Sequence, residues 1–220
     1  MKIREKLPVA VVFDMDGLMF DSERIIQISW NRAGLKMGYK DLGDTNVKNT
    51  LGFNNERRRQ YFLDAYGAAF PYEEFRRRYR QEFAAYVDEH GLPAKKGLHE
   101  LLKILESRGI SMAVATSSSR EYALGNITRE GIEQYFQTII TGDMVTKAKP
   151  DPEIYVKACE ALNVDPRQAM ALEDSYHGIR SAYRAGMLPV MVPDLLRDIS
   201  PVETLLAGCA DSLLEVAKWF

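Results

Sequence analysis

Cysteine is scarce in this chain. Two occur among 220 residues, Cys159 and Cys209, far apart and with no CxxC spacing. That excludes a disulfide framework and a cysteine-built zinc site, and it fits a reducing cytoplasm. A surplus of either charge is missing too. The formal net charge of −2 supplies no reason to expect nucleic acid or an anionic membrane as a partner. No apolar stretch is long enough to span a bilayer. The opening MKIREKLPVAVVFDMDG is basic and then apolar, yet Asp14 interrupts the apolar run too early for a secretory signal. What remains is ordinary for a globular protein: 46% hydrophobic and 27% charged residues. The length allows one domain with a substantial insertion, or two modest domains.

The stretch Val9–Asp21, VAVVFDMDGLMFD, organises the rest. Val9 to Phe13 form a short apolar, mostly β-branched run that suits a strand buried on both faces of a parallel sheet. The run ends in Asp14 and Asp16, one residue apart, followed by Gly17. Open α/β sheets place ligands at the carboxyl ends of their strands. Two carboxylates there can hold a hard cation, or one can attack an electrophile. The plainer alternative is a strand ending in a turn, with Gly17 supplying a permissive backbone.

Beyond Asp21 the period changes. Ile25, Ile26, Ile28, Trp30 and Leu35 predict a helix starting near Asp21 or Ser22. Helices are also expected over Glu56–Tyr66 and Tyr72–Glu89, and no strand is legible before Gly91. The triple arginines 57–59 and 76–78 do not form compact anion sites, because adjacent helical residues point in different directions. With acids at Glu56, Asp64, Glu73, Glu74 and Glu82 nearby, they read as a solvated, ion-paired face. Gly91–Gly97 reads as a hinge. Then strands and helices alternate: helix Leu98–Arg108, strand Ser111–Ala115, helix Arg120–Glu130, strand Thr138–Thr141, helix Pro152–Leu162, strand Ala169–Leu172, helix Ser175–Ala185 and strand Leu188–Val192. A last helix near Asp211–Trp219 is expected to pack on an edge. Alternation of this kind implies right-handed crossovers and a parallel sheet covered on both faces. The expected fold is α/β: a Rossmann-like parallel-sheet core over residues 1–20 plus 97–220, with an inserted all-helical cap domain over residues 21–96.

Polar chemistry gathers at four strand ends or adjoining loops: Asp14 and Asp16, Thr116 and Ser117, Lys149 in KAKPDPEIY, and Glu173 and Asp174. Parallel strands aim their carboxyl ends to one side, so these groups can converge. Asp14, Asp174 and Glu173 offer oxygen ligands for Mg²⁺. Thr116, Ser117 and Lys149 offer donors and positive charge to a phosphoryl group. Each has a plainer use: Thr116 and Ser117–Ser119 as a helix cap, Lys149 and Lys147 as solvated loop lysines, Glu173 and Asp174 as charges at a helix N-terminus. His177 reads as a helix-surface or packing residue. The occurrence of all four at successive strand ends is what the plainer uses explain badly.

The segments FDMDGLMFDS, VATSSSREYA, KAKPDPEIY and LEDSYHGIRSAYRAGM resemble, in order and spacing, the four motifs of the haloacid dehalogenase superfamily. The helical block after the first motif resembles its helical-cap branch, which includes β-phosphoglucomutase and phosphoglycolate phosphatase. The resemblance implies a Mg²⁺-dependent enzyme acting on a small phosphorylated metabolite, which sits with the expectation from composition of a soluble, cytoplasmic protein with no nucleic-acid or membrane partner. It assigns Asp14 as nucleophile, forming an aspartyl-phosphate. Asp16 becomes the general acid/base, also offering its backbone carbonyl to Mg²⁺. Thr116 and Ser117 bind the phosphoryl group, Lys149 neutralises it, and Asp174 with Glu173 completes the metal ligands. Members that cleave carbon–halogen bonds or phosphonates lack an acid at the second position, so Asp16 points to phosphate esters. The likeness to β-phosphoglucomutase fails in the cap. Where that pattern has a histidine in the first cap helix, this chain has Ile26. Where it has a lysine and an arginine around the cap-loop glycine, Gly52 stands between Leu51 and Asn55. A phosphatase is therefore expected, with a phosphohexomutase as the alternative and a non-catalytic phosphate- or partner-binding module as the third reading. Asn54, Asn55 and Arg57 are the cap residues expected to reach substrate.

Overall fold

A computed structural model describes residues 7–50, 55–195 and 197–220. Among them six strands form one sheet: β1 (Ala10–Phe13), β2 (Ser111–Ala115), β3 (Thr138–Ile140), β4 (Ala169–Glu173), β5 (Leu188–Met191) and β6 (Gly208–Cys209). The order is β3-β2-β1-β4-β5-β6 and every pairing is parallel. The helices are α1 (Ser22–Lys36), α2 (Leu42–Thr50), α3 (Asn55–Tyr66), α4 (Tyr72–His90), α5 (Leu98–Ser107), α6 (Arg120–Glu130), α7 (Glu153–Leu162), α8 (Tyr176–Arg184) and α9 (Leu213–Ala217). None is long and apolar enough to cross a membrane.

The chain divides into two compact units, Met1–Asp21 with Pro93–Phe220, and Ser22–Leu92. The first holds the sheet. Strand β1 is central, flanked by β2 and β4, and all four of its residues are buried. Strand order reverses at β1, the position where parallel sheets open a crevice at their carboxyl ends. Register is shared across the three strands: Phe13 lies level with Val114 and with Leu172. One face carries Ala10, Val12, Ala113, Ala115, Ala169 and Ala171, packed against Ile154, Tyr155 and Ala158 of α7. Small residues on this face let the helix approach closely.

The second unit is built from α1 to α4. Its core is aromatic: Trp30, Phe62, Phe70, Tyr72, Phe75 and Tyr79 are all buried. Trp30 meets Phe62 and Phe75 edge-on, at centroid distances of 5.3 and 5.5 Å. The arginine run on α4 is ion-paired as its neighbours suggest, with Glu74 holding Arg77 and Arg78, and Glu73 facing Arg76. Helix α2 has no counterpart in the sequence reading. Its segment LGDTNVKNT is rich in Asn, Thr and Gly, which are poor helix formers. Within it, Asn46 and Thr50 return hydrogen bonds to backbone carbonyls four residues back.

The carboxyl-terminal stretch also departs from expectation. The sheet edge is taken by the two-residue strand β6, and α9 is only five residues long and packs against α5. A two-residue strand leaves no alternation for a sequence reading to detect.

Candidate active site

Alternation along the strands decides which side chains meet. Residues two apart share a face. Ala10 and Val12 face α7, so Asp14 projects to the same side; Ala169 and Ala171 do likewise, so Glu173 joins it. Asp14 anchors its backbone by donating from its amide to the Leu172 carbonyl. Lys149 enters from the loop before α7 and lies between the two carboxylates. Its Nζ donates to Asp14 Oδ1 at 2.6 Å, Glu173 Oε1 at 2.7 Å and the Ala115 carbonyl at 3.0 Å. All three charged groups are buried, Glu173 completely.

The loop carrying Lys149 is itself held. The Glu153 carboxylate accepts from Thr146 N and Oγ1, from Lys147 N and from Lys157 Nζ. Lys147, two residues from Lys149, is exposed and only 3.9 Å from Asp151, so of the two lysines Lys149 alone enters the site.

Asp14, Glu173 and Asp174 each place a carboxylate oxygen within 4.8 Å of the others. Three buried carboxylates therefore cluster, two of them on one ammonium. Burial pushes the Asp14 carboxyl up to about 8; the Lys149 ammonium opposes that rise and Glu173 adds to it. For Lys149, burial works against the charge, but Asp14 and Glu173 outweigh it and hold the ammonium protonated. A compact set of hard, buried oxygens with surplus negative charge fits a divalent cation such as Mg²⁺. A cation there would favour ionised Asp14.

Backbone approach is close here. Gly17 has φ +84°, and a Cβ on it would stand 2.1 Å from Asp174 Oδ2. A Cβ on Gly178, in the first turn of α8, would stand 1.7 Å from Glu173 Oε1. Glycine is what lets both carboxylates sit against main chain.

Asp16 has a different environment. Ser118 Oγ donates to its Oδ2 at 2.6 Å and the Tyr122 hydroxyl to its Oδ1 at 3.3 Å. It is half-buried and has hydroxyl partners where Asp14 has an ammonium. Thr116 is buried at the end of β2, with its Oγ1 accepting from Ser118 N; Ser117 beside it is exposed. Ser119 caps α6. His177 lies half-buried in the first turn of α8.

Asp14, Asp16, Lys149, Glu173 and Asp174 are thus brought together with the Thr116–Ser118 loop in the sheet unit. Asn55 and Arg57 lie exposed in the first turn of α3, in the helical unit, and Asn54 lies outside the described residues. Sequence reasoning missed Tyr155, Ser118 and Tyr122. Ser118 stood in view within TSSS, but its bond to Asp16 spans 102 residues and no local pattern announces it. Tyr155 had one signal, a phenol in the otherwise apolar face of α7.

The chain is similar to known proteins along most of its length. The chain is 32% identical over 178 residues to the phosphorylated carbohydrates phosphatase of Thermotoga maritima, covering 81% of this chain and 82% of that one. It is 34% identical over 182 residues to the validoxylamine A 7'-phosphate phosphatase of Streptomyces hygroscopicus subsp. limoneus, covering 81% and 83%. Its fold superposes on CbbY from Rhodobacter sphaeroides, solved in complex with phosphate, with a TM-score of 0.73, 27% identity and 96% of each chain covered. The sequence profile of the haloacid dehalogenase-like hydrolases spans residues 11–192, from within β1 to just past β5, so every carboxylate and the lysine described above fall inside it and the chain belongs to that family.

Proposed function

We propose that this protein is a phosphatase that hydrolyses a small phosphomonoester, a phosphorylated carbohydrate or similar metabolite, through an aspartyl-phosphate on Asp14. The observation that carries the reading is the unequal treatment of two aspartates one residue apart. Asp14 is buried against an ammonium and two further carboxylates; Asp16 accepts hydrogen bonds from the hydroxyls of Ser118 and Tyr122. One carboxylate is thereby set up to attack and the other to exchange a proton.

Asp14, Asp174 and the Asp16 backbone carbonyl would hold Mg²⁺, which when bound neutralises charge on the phosphoryl oxygens. Asp14 attacks phosphorus as the ester oxygen departs, and Asp16 gives that oxygen a proton. Water then attacks the aspartyl-phosphate, with Asp16 taking its proton, and inorganic phosphate leaves. Phosphoryl transfer proceeds through a loose, charge-rich transition state, so the work of the residues is positioning and electrostatics. Lys149 lies within hydrogen-bonding distance of Asp14 and supplies a fixed positive charge. Thr116 and the backbone at Ser117 provide donors for the transferring group.

The test is release of phosphate from p-nitrophenyl phosphate, with and without Mg²⁺. Turnover that needs Mg²⁺ and stops with EDTA supports the reading; metal-independent or absent turnover overturns it. The mutase alternative is open to the same Asp16, which can deprotonate a sugar hydroxyl as well as water. Incubation with β-glucose 1-phosphate, Mg²⁺ and a trace of glucose 1,6-bisphosphate separates the two. Free phosphate from several esters without isomerisation supports the phosphatase, and rapid glucose 6-phosphate with little free phosphate supports the mutase.

A further inference from the structure

Tyr155 lies in the first turn of α7, fully buried among Ala113, Ala115, Ile154 and Ala158. A hydroxyl in such surroundings is costly unless it is hydrogen-bonded. It is bonded twice. It donates to Glu173 Oε1 at 2.8 Å and accepts from Lys149 Nζ at 3.4 Å, while the ammonium stands 4.9 Å from the ring centroid. On its other oxygen, Glu173 accepts from Ser175 N at 3.1 Å and Ser175 Oγ at 2.9 Å. An ionised carboxylate offers about four acceptor positions. Lys149, Tyr155 and the two Ser175 donors fill those of Glu173.

We propose that Tyr155 is a positioning residue. Its hydroxyl shares Glu173 Oε1 with Lys149, so that Glu173 acts as a measured counter-ion to the lysine and the ammonium stays directed at Asp14. The inference rests on the phosphatase reading. Without the phenolic donor, Oε1 answers Lys149 alone and draws the ammonium away from the nucleophile. Lys149 has three protons, and Asp14, Glu173, Ala115 and Tyr155 compete for them. A small displacement of a charge that serves the transition state slows the chemical step without touching substrate affinity.

The test is Tyr155→Phe, which keeps the ring and removes only the hydroxyl. With p-nitrophenyl phosphate at saturating Mg²⁺, kcat is expected to fall roughly tenfold with KM within about twofold. Glu173→Gln is expected to lower kcat as well, and adding Tyr155→Phe to it should cost nothing further, because both act on Lys149 through one carboxylate. A wild type without Mg²⁺-dependent turnover overturns the phosphatase reading and this inference with it. An active wild type whose Tyr155→Phe variant keeps its kcat overturns this inference alone. So does a full, independent loss on adding Tyr155→Phe to Glu173→Gln, or a variant whose only change is a lower melting temperature.

Discussion

The two units spend their buried residues differently. The sheet unit lines its central strands with small aliphatics and then buries three carboxylates and a lysine at their ends. The helical unit buries six aromatic rings of α1, α3 and α4 and the loop between the last two, while the polar residues described as buried there are uncharged: Ser22, Ser29, Asn46 and Thr50. Its ion pairs, such as that of Lys36 with Glu82 and those of Glu74, include solvent-exposed partners. Buried charge opposes folding unless it is paired, and it persists where an environment must be held against water. The comparison assigns chemistry to one unit and ordinary cohesion to the other.

The sharpest way to break that comparison is Asp14→Asn. The change is nearly isosteric and relieves repulsion with Glu173. It should lower turnover about a thousandfold or more, while circular dichroism and the melting temperature stay close to wild type. Phosphatase activity at the wild-type level would remove the nucleophile assignment.

The complementary change is Phe62→Ala, at the centre of the aromatic cluster. Loss of a fully buried phenyl ring costs about 3–5 kcal/mol. The two tryptophans make it readable, since Trp30 belongs to the helical unit and Trp219 to the sheet unit. In a Trp219→Phe background, Trp30 fluorescence should report a clearly lower urea midpoint. An unchanged midpoint would mean the rings do not hold this unit together.

A smaller effect is expected from Glu153. Its hydrogen bond with Lys157, then those with Thr146 and Lys147, lower its pKa from 4.5 to about 2. A depressed carboxylate contributes stability above its unfolded value and loses it as pH falls through the folded one. The difference in melting temperature between wild type and Glu153→Gln should therefore be full near neutrality and shrink between pH 4.5 and about 2. A gap that stays constant over that range would refute the clamp. Because Glu153 pins the loop bearing Lys149, kcat is also expected to fall a fewfold.

The smallest is Gly125→Ala in the middle of α6. Among the described residues, no atom beyond its chain neighbours and the helix's own backbone lies within 4 Å of where its Cβ would stand, so the gain in helix propensity, about 0.5–1 kcal/mol, should appear as a raised melting temperature with kcat unchanged. A lowered one would place an unseen constraint at that turn.

Much of this was legible in the sequence. The run at Val9–Phe13 and the alternation after Gly97 gave the parallel sheet, because buried strands have few other ways to look. The chemistry-bearing residues were legible through their place at strand ends, which parallel topology turns into proximity. What escaped shares one physical cause. Helix α2 is held by contacts with α1 rather than by its own propensity, as where Asn31 accepts from Gly43 N at 2.7 Å. Strand β6 exists because β5 offers it a partner. The hydroxyls of Tyr155, Ser118 and Tyr122 donate to carboxylates 18 to 106 positions away. Local pattern reports what a segment can do alone, and these features are imposed by neighbours.

The two glycines beside the carboxylates have a consequence for variation in this chain. Every substitution at Gly17 or Gly178 adds at least a Cβ, and at both positions that atom would overlap a carboxylate oxygen of the candidate site. Neither position has a gentle intermediate through which a population of sequences could drift. In a saturation scan scored for activity, both should read as columns of uniform loss, alanine included, as severe as the columns for the acids themselves. The map of intolerance would then trace the backbone as well as the charged side chains, and residues with no functional group would mark the floor of the site.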